Sequence, residues 1–348
     1  MSSQHLAAVL PTPGCGKLEV VSRTTPSPGP HDVLIEVKAI AVNPIDLYQR
    51  GTADFYVSHS PAVIGSDIAG IVVSRGSAVG DNVPQEGKRV FAFCPTFYTE
   101  GLPDSGAFQK IAMVPSSNVG ALPSKFSLTE GTLLPMAIGT TFGAWHTLEL
   151  YRDTMFAPED KQGMLVWGGA SSIGSAAVQM AKLMGFTVYV TASDKHHEYI
   201  KTLGASKVFD YHSADVVEHI VQAAKDDSVA INHGYIAVRG VLEQCQAILK
   251  RARAPNTLAK LANCSPPRPG PYPTVEGVET RFMHPPEEPD NREKFFASIF
   301  NKWLPEKLES GEIVPSPKVT IVEGGLEGLN KALDMLTGAS GEKFVVEV

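Results

Sequence analysis

A short apolar run, Met164 to Trp167, opens directly into Gly168-Gly169-Ala170-Ser171-Ser172-Ile173-Gly174. A dinucleotide pyrophosphate needs a tight turn, a close backbone approach and N–H groups at a helix start, and a glycine-rich strand-to-helix turn offers all three. Gly169 and Gly174 hold the outer spacing of a G-x-G-x-x-G turn, with Ser171 in the middle place and Ser172 and Ile173 completing the loop. Taken alone, the pattern reads equally well as an ordinary strand-to-helix turn. Further on come Ser193, Asp194, Lys195 and His196. An Asp or Glu at this place receives ribose hydroxyls, whereas small polar and basic groups leave room for a 2′-phosphate. Ser193 offers a hydrogen bond and Lys195 a positive charge, which points to NADPH. Asp194 argues the other way, and the plainer reading of Lys195 is a solvated lysine at a helix start.

These residues need elements to hold them. Ile173, Ala177, Met180, Ala181 and Met184 recur at helical spacing, and Gly185 ends the helix. Phe186–Ala192 follows as a strand, His196–Leu203 as a helix and Lys207–Phe209 as a third strand. Strand and helix in alternation predict a parallel sheet with right-handed crossovers. The first third reads differently. Val33, Ile35, Val37 and Ala39 alternate with their neighbours, and Ile64–Arg75 and Lys88–Phe93 are further β-like runs. They predict a compact antiparallel barrel or sandwich. Between Ser265 and Pro289 stand eight prolines, which predicts a long surface loop beside a cleft. Arg292–Leu308 and Gly324–Leu336 read as helices, and Lys343–Val348 as a last strand returning to the first domain.

The chain has 348 residues, enough for two domains, and 43% hydrophobic with 19% charged residues excludes a disordered chain. A formal charge of −7 argues against a nucleic-acid surface. Cys15, Cys94, Cys245 and Cys264 lie far apart without a C-x-x-C, so a reducing compartment is the easier reading. The first ten residues lack a leader pattern and no long apolar run spans a membrane. A cytoplasmic protein is expected.

The stretch Val166 to Gly174 through Ala181-Lys182 resembles the medium-chain dehydrogenase/reductase superfamily. So do Ala41-Val42-Asn43-Pro44-Ile45-Asp46, Ile64-Gly65-Ser66-Asp67-Ile68-Ala69-Gly70 and Ser340-Gly341-Glu342-Lys343. Val208-Phe209-Asp210-Tyr211 is similar to a fungal branch of trans-acting enoyl reductases and quinone-reductase-like proteins. The resemblance spans nearly the whole chain. It implies an α/β protein: a GroES-like β-barrel catalytic domain over 1–126, completed by 297–348, and a Rossmann NADPH-binding domain over 127–296. Zinc-dependent members carry a Cys-His pair where this chain has Asn43-Pro44, and His-Glu where it has Ser66-Asp67. Asn and Ser are poor zinc ligands, so a zinc-free site is expected.

Without a Lewis acid, an activated alkene is the easier substrate. Hydride adds to the β-carbon, charge spreads into an enolate, and a proton follows at the α-carbon. Enoyl reductases of this kind often carry a Lys two residues after the Asp of the Asn-Pro-x-Asp motif; here the place is Tyr48, whose hydroxyl can donate a hydrogen bond or a proton, or whose ring simply packs. The resemblance places Asn43 near the nicotinamide and Thr141, ahead of Thr140, in a segment lining the cofactor and substrate, with back-bonding to the helix as the alternative role. It puts Tyr211 over the 2′-phosphate or adenine, and Ala262 and Ser340 against the cofactor through their backbone. Asp46 is expected as a turn acceptor. His196-His197 is not expected to bind metal, since adjacent residues of a helix do not face each other. Asn232 stands where the fungal relatives have Asp, a change that alters nicotinamide contacts or marks a drift from redox work. Two functions are thus open. One is NADPH-dependent reduction of an enoyl, enone or quinone, on a free or carrier-bound polyketide-like substrate with a polyketide synthase as partner. The other is a non-redox cyclase, isomerase or accessory protein on such an intermediate. Neither nucleic acid nor membrane is implied, and both a monomer and a homodimer are compatible.

Overall fold

The computed structural model describes residues 3–53, 55–265 and 270–348. It divides into two units, residues 1–136 with 290–348, and residues 137–289. In chain order the first stretch of unit 1 supplies β1 (Gln4–Val9), β2 (Glu19–Thr24), β3 (Asp32–Ala41), β4 (Asp67–Arg75), β5 (Arg89–Phe93), β6 (Ile111–Pro115) and β7 (Val119–Ala121). Unit 2 supplies β8 (Gln162–Trp167), β9 (Thr187–Thr191), β10 (Lys207–Phe209), β11 (Ala230–Ile236), β12 (Ala259–Asn263) and β13 (Val278–Phe282). The returning stretch of unit 1 supplies β14 (Lys318–Ile321) and β15 (Glu342–Glu347).

Unit 1 is built on one sheet in the order β14-β15-β3-β4-β5-β7, with β6 also on β3, and a separate β1–β2 pair. Its long central strand β3 buries alternate apolar residues such as Val33, Ile35 and Val37 against Ile64, Ile68 and Phe108, all almost without exposure. Such alternation is what a sheet with one face on a core requires. The last strand does return to this sheet: β15 pairs antiparallel with β3. One expectation needs correction. The sheet is not wholly antiparallel, because β14 pairs parallel with β15. The two are joined by the helix Gly328–Met335, the kind of crossover a parallel pair needs.

Register sets the heart of this unit. Ala41 lies opposite Asp67 on one side and opposite Val345 on the other. Asn43, two residues past Ala41, and Lys343, two before Val345, are thereby brought to Asp67.

Unit 2 is a six-stranded, all-parallel sheet in the order β10-β9-β8-β11-β12-β13. A strand covered on both faces must be apolar throughout, and Gly163–Trp167 of β8 is buried at every residue. The chain steps outward from β8 to β9 to β10, then crosses back to β11 on the other side of β8. That reversal opens a crevice at the carboxyl ends of β8 and β11. The proline-rich segment also needs correction. It is no continuous loop, for β13 runs through it between Pro273 and Pro285. β13 is the edge strand of the sheet, next to β12, which is where a proline-flanked strand is tolerated. Residues 266–269 of that segment lie outside the described residues. Arg292–Leu308 is helical, with a wide π-type turn over Ser298–Trp303 ahead of Pro305. The widened turn comes where the proline ring would otherwise meet the carbonyl four residues back.

Candidate functional site

In unit 2, Trp167 pairs with Thr191 and Thr191 with Phe209. The segments leaving β8, β9 and β10 therefore emerge along one edge: the glycine turn, then Ser193 to His196, then Tyr211. The turn begins at Gly168, whose φ of 90° lies in the left-handed region that favours glycine. A Cβ on Gly174 would sit 2.2 Å from the Gly168 carbonyl oxygen, so that close approach belongs to glycine alone. A Cβ on Gly169 would instead meet Val190 Cγ1 at 2.2 Å, so Gly169 serves the packing of the turn against the sheet. Ser171 Oγ donates to the Gly168 carbonyl at 2.8 Å and accepts from the Gly174 N–H at 3.1 Å. The serine in the middle place is thus the cap of the helix Ser172–Leu183. Ser172 and Ile173 form that helix's first turn, where N–H groups lack intrahelical acceptors and the helix dipole favours an anion. The residues fit a dinucleotide pyrophosphate. Sequence reasoning named Gly169 and passed over Gly168, which a glycine straight after an apolar strand could have flagged.

After β9, Ser193 is half-buried and Lys195 exposed. The Asp194 carboxylate, which argued against NADPH, turns toward His197 at 3.6 Å. His197 Nε2 is also 3.0 Å from the Ala192 carbonyl oxygen, a structural role. Burial, with Lys195 beside it, holds the His196 imidazole below its usual range. Tyr211 is exposed, its ring 4.1 Å from that of His212. Thr141, fully buried, donates to the Ala137 carbonyl at 2.8 Å, the back-bonding of a helix-interior threonine. It also approaches the Ile173 carbonyl at 3.5 Å, beside the glycine turn. Ala262 is fully buried in β12, paired with Tyr235 and Arg281.

Asn232 does not stand at the carboxyl end of its strand. It stands near the start of β11, at a bulge, while the glycine turn follows the opposite end of β8. Its amide bonds Gln162 Oε1 at 3.2 Å and accepts from the Ala254 N–H at 3.0 Å. Next to it, burial pushes the His233 imidazole down to about 4.

Unit 1 carries the remaining candidates, Asn43, Tyr48 and Ser340. Asn43 starts the helix Pro44–Gly51, and Asp46 accepts its N–H at 2.8 Å, the turn-acceptor role expected of it. The Asn43 amide nitrogen donates to Asp67 Oδ2 at 2.8 Å, and its oxygen accepts from Lys343 Nζ at 2.5 Å. Lys343 also donates to Asp67 Oδ2 at 2.9 Å, and the Met136 N–H donates to Asp67 Oδ1 at 2.6 Å. Exposure is 4% at Lys343 and 0% at Asp67, so the pair is sealed from water. Burial pushes the Asp46 carboxyl up to about 8, with the neighbouring Asp67 charge adding to the effect. Its Oδ1 has no hydrogen-bond partner among the described residues. Tyr48 is half-buried one turn along the same helix, its ring 5.8 Å from Phe55. Ser340 is exposed just before β15. Sequence reasoning quoted Lys343 and Asp67 inside motifs without assigning them a role. Among the described residues, no group of three His, Cys, Asp or Glu is placed to hold a metal ion.

Residues 29–124 match the family of the alcohol dehydrogenase GroES-like domain, and residues 172–252 match the zinc-binding dehydrogenase family. A trans-enoyl reductase of Aspergillus flavipes is 46% identical over 347 residues, covering 99% of each chain. One from Aspergillus terreus is 49% identical over 286 residues, covering 82% of this chain and 93% of the relative. Among solved structures, an alcohol dehydrogenase superfamily protein from Novosphingobium aromaticivorans superposes with a TM-score of 0.78 at 21% identity, covering 99% of both chains.

Proposed function

The chain belongs to the medium-chain dehydrogenase/reductase superfamily, among its fungal trans-enoyl reductases, and from there we propose that it reduces an activated C=C bond with NADPH and without zinc. The substrate is a polyketide-like enoyl or enone compound, free or carried by a synthase. One observation carries the reading: the glycine turn, Ser193, Lys195 and Tyr211 emerge along one edge of the parallel sheet. The first turn after Ser171 takes the pyrophosphate, and Lys195 and Ser193, with Tyr211 beside them, take the 2′-phosphate. Asp194 does not oppose this, since its carboxylate is directed to His197.

The non-redox alternative drew on Ser171, Asp194, Tyr48 and Asn232, and three of these weigh less for it. Ser171 caps a helix, Asp194 serves His197, and Asn232 ties β11 to its surroundings. These three departures have structural tasks, and the fourth, Tyr48, is the residue on which the two readings part. Zinc independence rests on donor chemistry, for Asn43 and Ser66 stand where a zinc site needs thiolate and imidazole. A reducing, cytoplasmic setting agrees with four cysteines that are all free thiols.

When bound, the nicotinamide supplies a hydride to the β-carbon. Tyr48 either donates its hydroxyl hydrogen bond to the carbonyl oxygen, stabilising the enolate while water protonates the α-carbon, or itself delivers that proton and regains one from solvent. Titration by fluorescence tests the cofactor reading: NADPH should bind at least about tenfold tighter than NADH, and binding of neither would end it. Tyr48→Phe tests the donor. It should cost roughly 10²-fold in kcat, the size of one oxyanion contact, with NADPH affinity unchanged. Wild-type turnover would return Tyr48 to packing and leave the proton to water.

A further inference from the structure

Tyr48 does not stand alone. Its ring is followed by Phe55 at 5.8 Å, Phe55 by Tyr56 at 5.1 Å, and Tyr56 by Phe97 at 6.0 Å, all tilted or edge-on. These are the separations and angles at which aromatic rings attract one another. Yet the run is not a core. Phe55 and Phe97 are only half-buried, and Tyr56 is 47% exposed. Tyr56 also holds a φ of 53°, which a bulky residue adopts only where its surroundings impose it. The buried Gln49, one residue beyond Tyr48, donates to the Tyr56 carbonyl at 3.2 Å and fixes that conformation. The helix that carries the proton donor therefore also sets the next ring in place. Next to Phe97 in the chain is Tyr98, 41% exposed, with the Arg292 guanidinium 4.2 Å above its ring.

We infer that Tyr48, Phe55, Tyr56 and Phe97 form an aromatic track that selects substrates with an extended conjugated tail. The inference rests on the reading of Tyr48 as the donor to the enone oxygen. A substrate whose enone oxygen meets Tyr48 has to lay the rest of its carbons somewhere, and the run of half-buried and exposed rings begins at that residue. A saturated tail on such rings gains only from leaving water. A polyene tail is flat and rigid, loses little freedom on binding, and presents π-faces and C–H edges that match rings set at alternating tilts.

The test compares thioesters of equal length, 2-octenoyl and 2,4,6-octatrienoyl N-acetylcysteamine, with NADPH. The triene should have a KM lower by about tenfold, the size of one or two aromatic contacts. Phe97→Leu and Tyr56→Leu keep apolar bulk and remove the ring, and each should bring that ratio close to one. Equal KM values for the two thioesters in wild type, or an unchanged ratio in both variants, would overturn the inference. A second measurement does not need turnover. Fluorescence of the tetraene cis-parinaric acid should rise on binding wild type at least about fivefold more tightly than the Phe97→Leu variant, with NADPH absent. Failure of every thioester to consume NADPH, with parinaric acid still bound through the rings, would refute the reductase reading and keep the track. Reduction of both thioesters with no ring dependence would do the reverse.

Discussion

The glycine turn of unit 2 and the buried lysine of unit 1 solve similar problems by opposite means. The turn holds its charge-binding groups with seven consecutive residues, and its key bonds join Ser171 to Gly168 and Gly174. The lysine site draws on residues 43, 67, 136 and 343, which meet only because β3 lies between β4 and β15 in one register. The first offers backbone N–H groups to a ligand from outside. The second spends its charges internally: the Lys343 ammonium answers the Asp67 carboxylate, and burial, with the Asp67 charge adding to it, pushes the Asp46 carboxyl up to about 8. A local motif can be read from composition and spacing, whereas a long-range one needs the pairing.

The sharpest way to break the comparison is to remove the turn's backbone approach. Gly174→Ala puts a Cβ 2.2 Å from the Gly168 carbonyl oxygen and 2.9 Å from Ser171 Oγ. Neither neighbour is the end of a flexible chain, so the turn has to open and the Ser171 cap is lost with it. Binding of both NADPH and NADH should fall by about 100-fold or more, as an interaction worth at least about 3 kcal/mol disappears. Far-ultraviolet circular dichroism should show the fold retained, and normal cofactor binding in a folded variant would place the dinucleotide elsewhere.

The lysine site should respond in stability rather than in cofactor binding. Lys343→Met leaves Asp67 buried with no counter-charge, which costs about 3–5 kcal/mol. Lys343→Met with Asp67→Asn removes both charges and keeps an acceptor for the Met136 N–H. Urea denaturation should show the double variant regaining more than half of that loss. A double variant as unstable as the single one would mean that packing, not charge, governs the site.

How much of this was legible follows the same division. The parallel sheet, the crossover helices and the Ser171 loop were readable because strand, turn and helix are contiguous and each has its own residue signature. Gly169 was read from its spacing in the turn, and spacing alone does not say that its missing Cβ leaves room for Val190. Asn232 misled for the opposite reason. The comparison with the fungal relatives suggested a place near the nicotinamide, and only the pairing of Ala230 with Gln162 puts it near the start of its strand. Lys343 and Asp67 could not be joined at all, because nothing in the residues between them records that their strands flank β3. β13 was hidden by the prolines on either side, although its position at the sheet's edge is what allows them.

The protonated Asp46 gives the lysine site a pH signature that the turn lacks. Its carboxyl is held up to about 8 in the folded chain, while in the unfolded chain it ionises near 3.9. Between those values the folded state keeps a proton that the unfolded state has lost, so stability falls as pH rises through that range. The contribution is whole below about pH 4 and gone above about pH 8. Asp46→Asn keeps an acceptor for the Asn43 N–H and cannot ionise. The difference in urea midpoint between variant and wild type should therefore shift in the variant's favour from about pH 5 to pH 8, at up to about 1.4 kcal/mol per pH step of one. Parallel curves would show that Asp46 ionises normally.

The smallest effect belongs to Lys195, and it tests the outer part of the turn's territory. The residue is exposed, and among the described residues it forms no ion pair, so its removal should leave stability almost untouched. A charge-assisted contact to a 2′-phosphate is worth about 1–3 kcal/mol. Lys195→Ala should weaken NADPH by the corresponding ten- to hundredfold range. NADH, which lacks that phosphate, should change far less. Ser193→Ala in the same background should add a smaller, neutral hydrogen-bond loss, again confined to NADPH. This selectivity separates two groups of side chains, since residues around the pyrophosphate treat both cofactors alike and residues around the 2′-phosphate cannot. Equal losses for the two cofactors would move Lys195 into the first group. No loss for either would leave it a solvated lysine, with discrimination then falling to Ser193 and Tyr211.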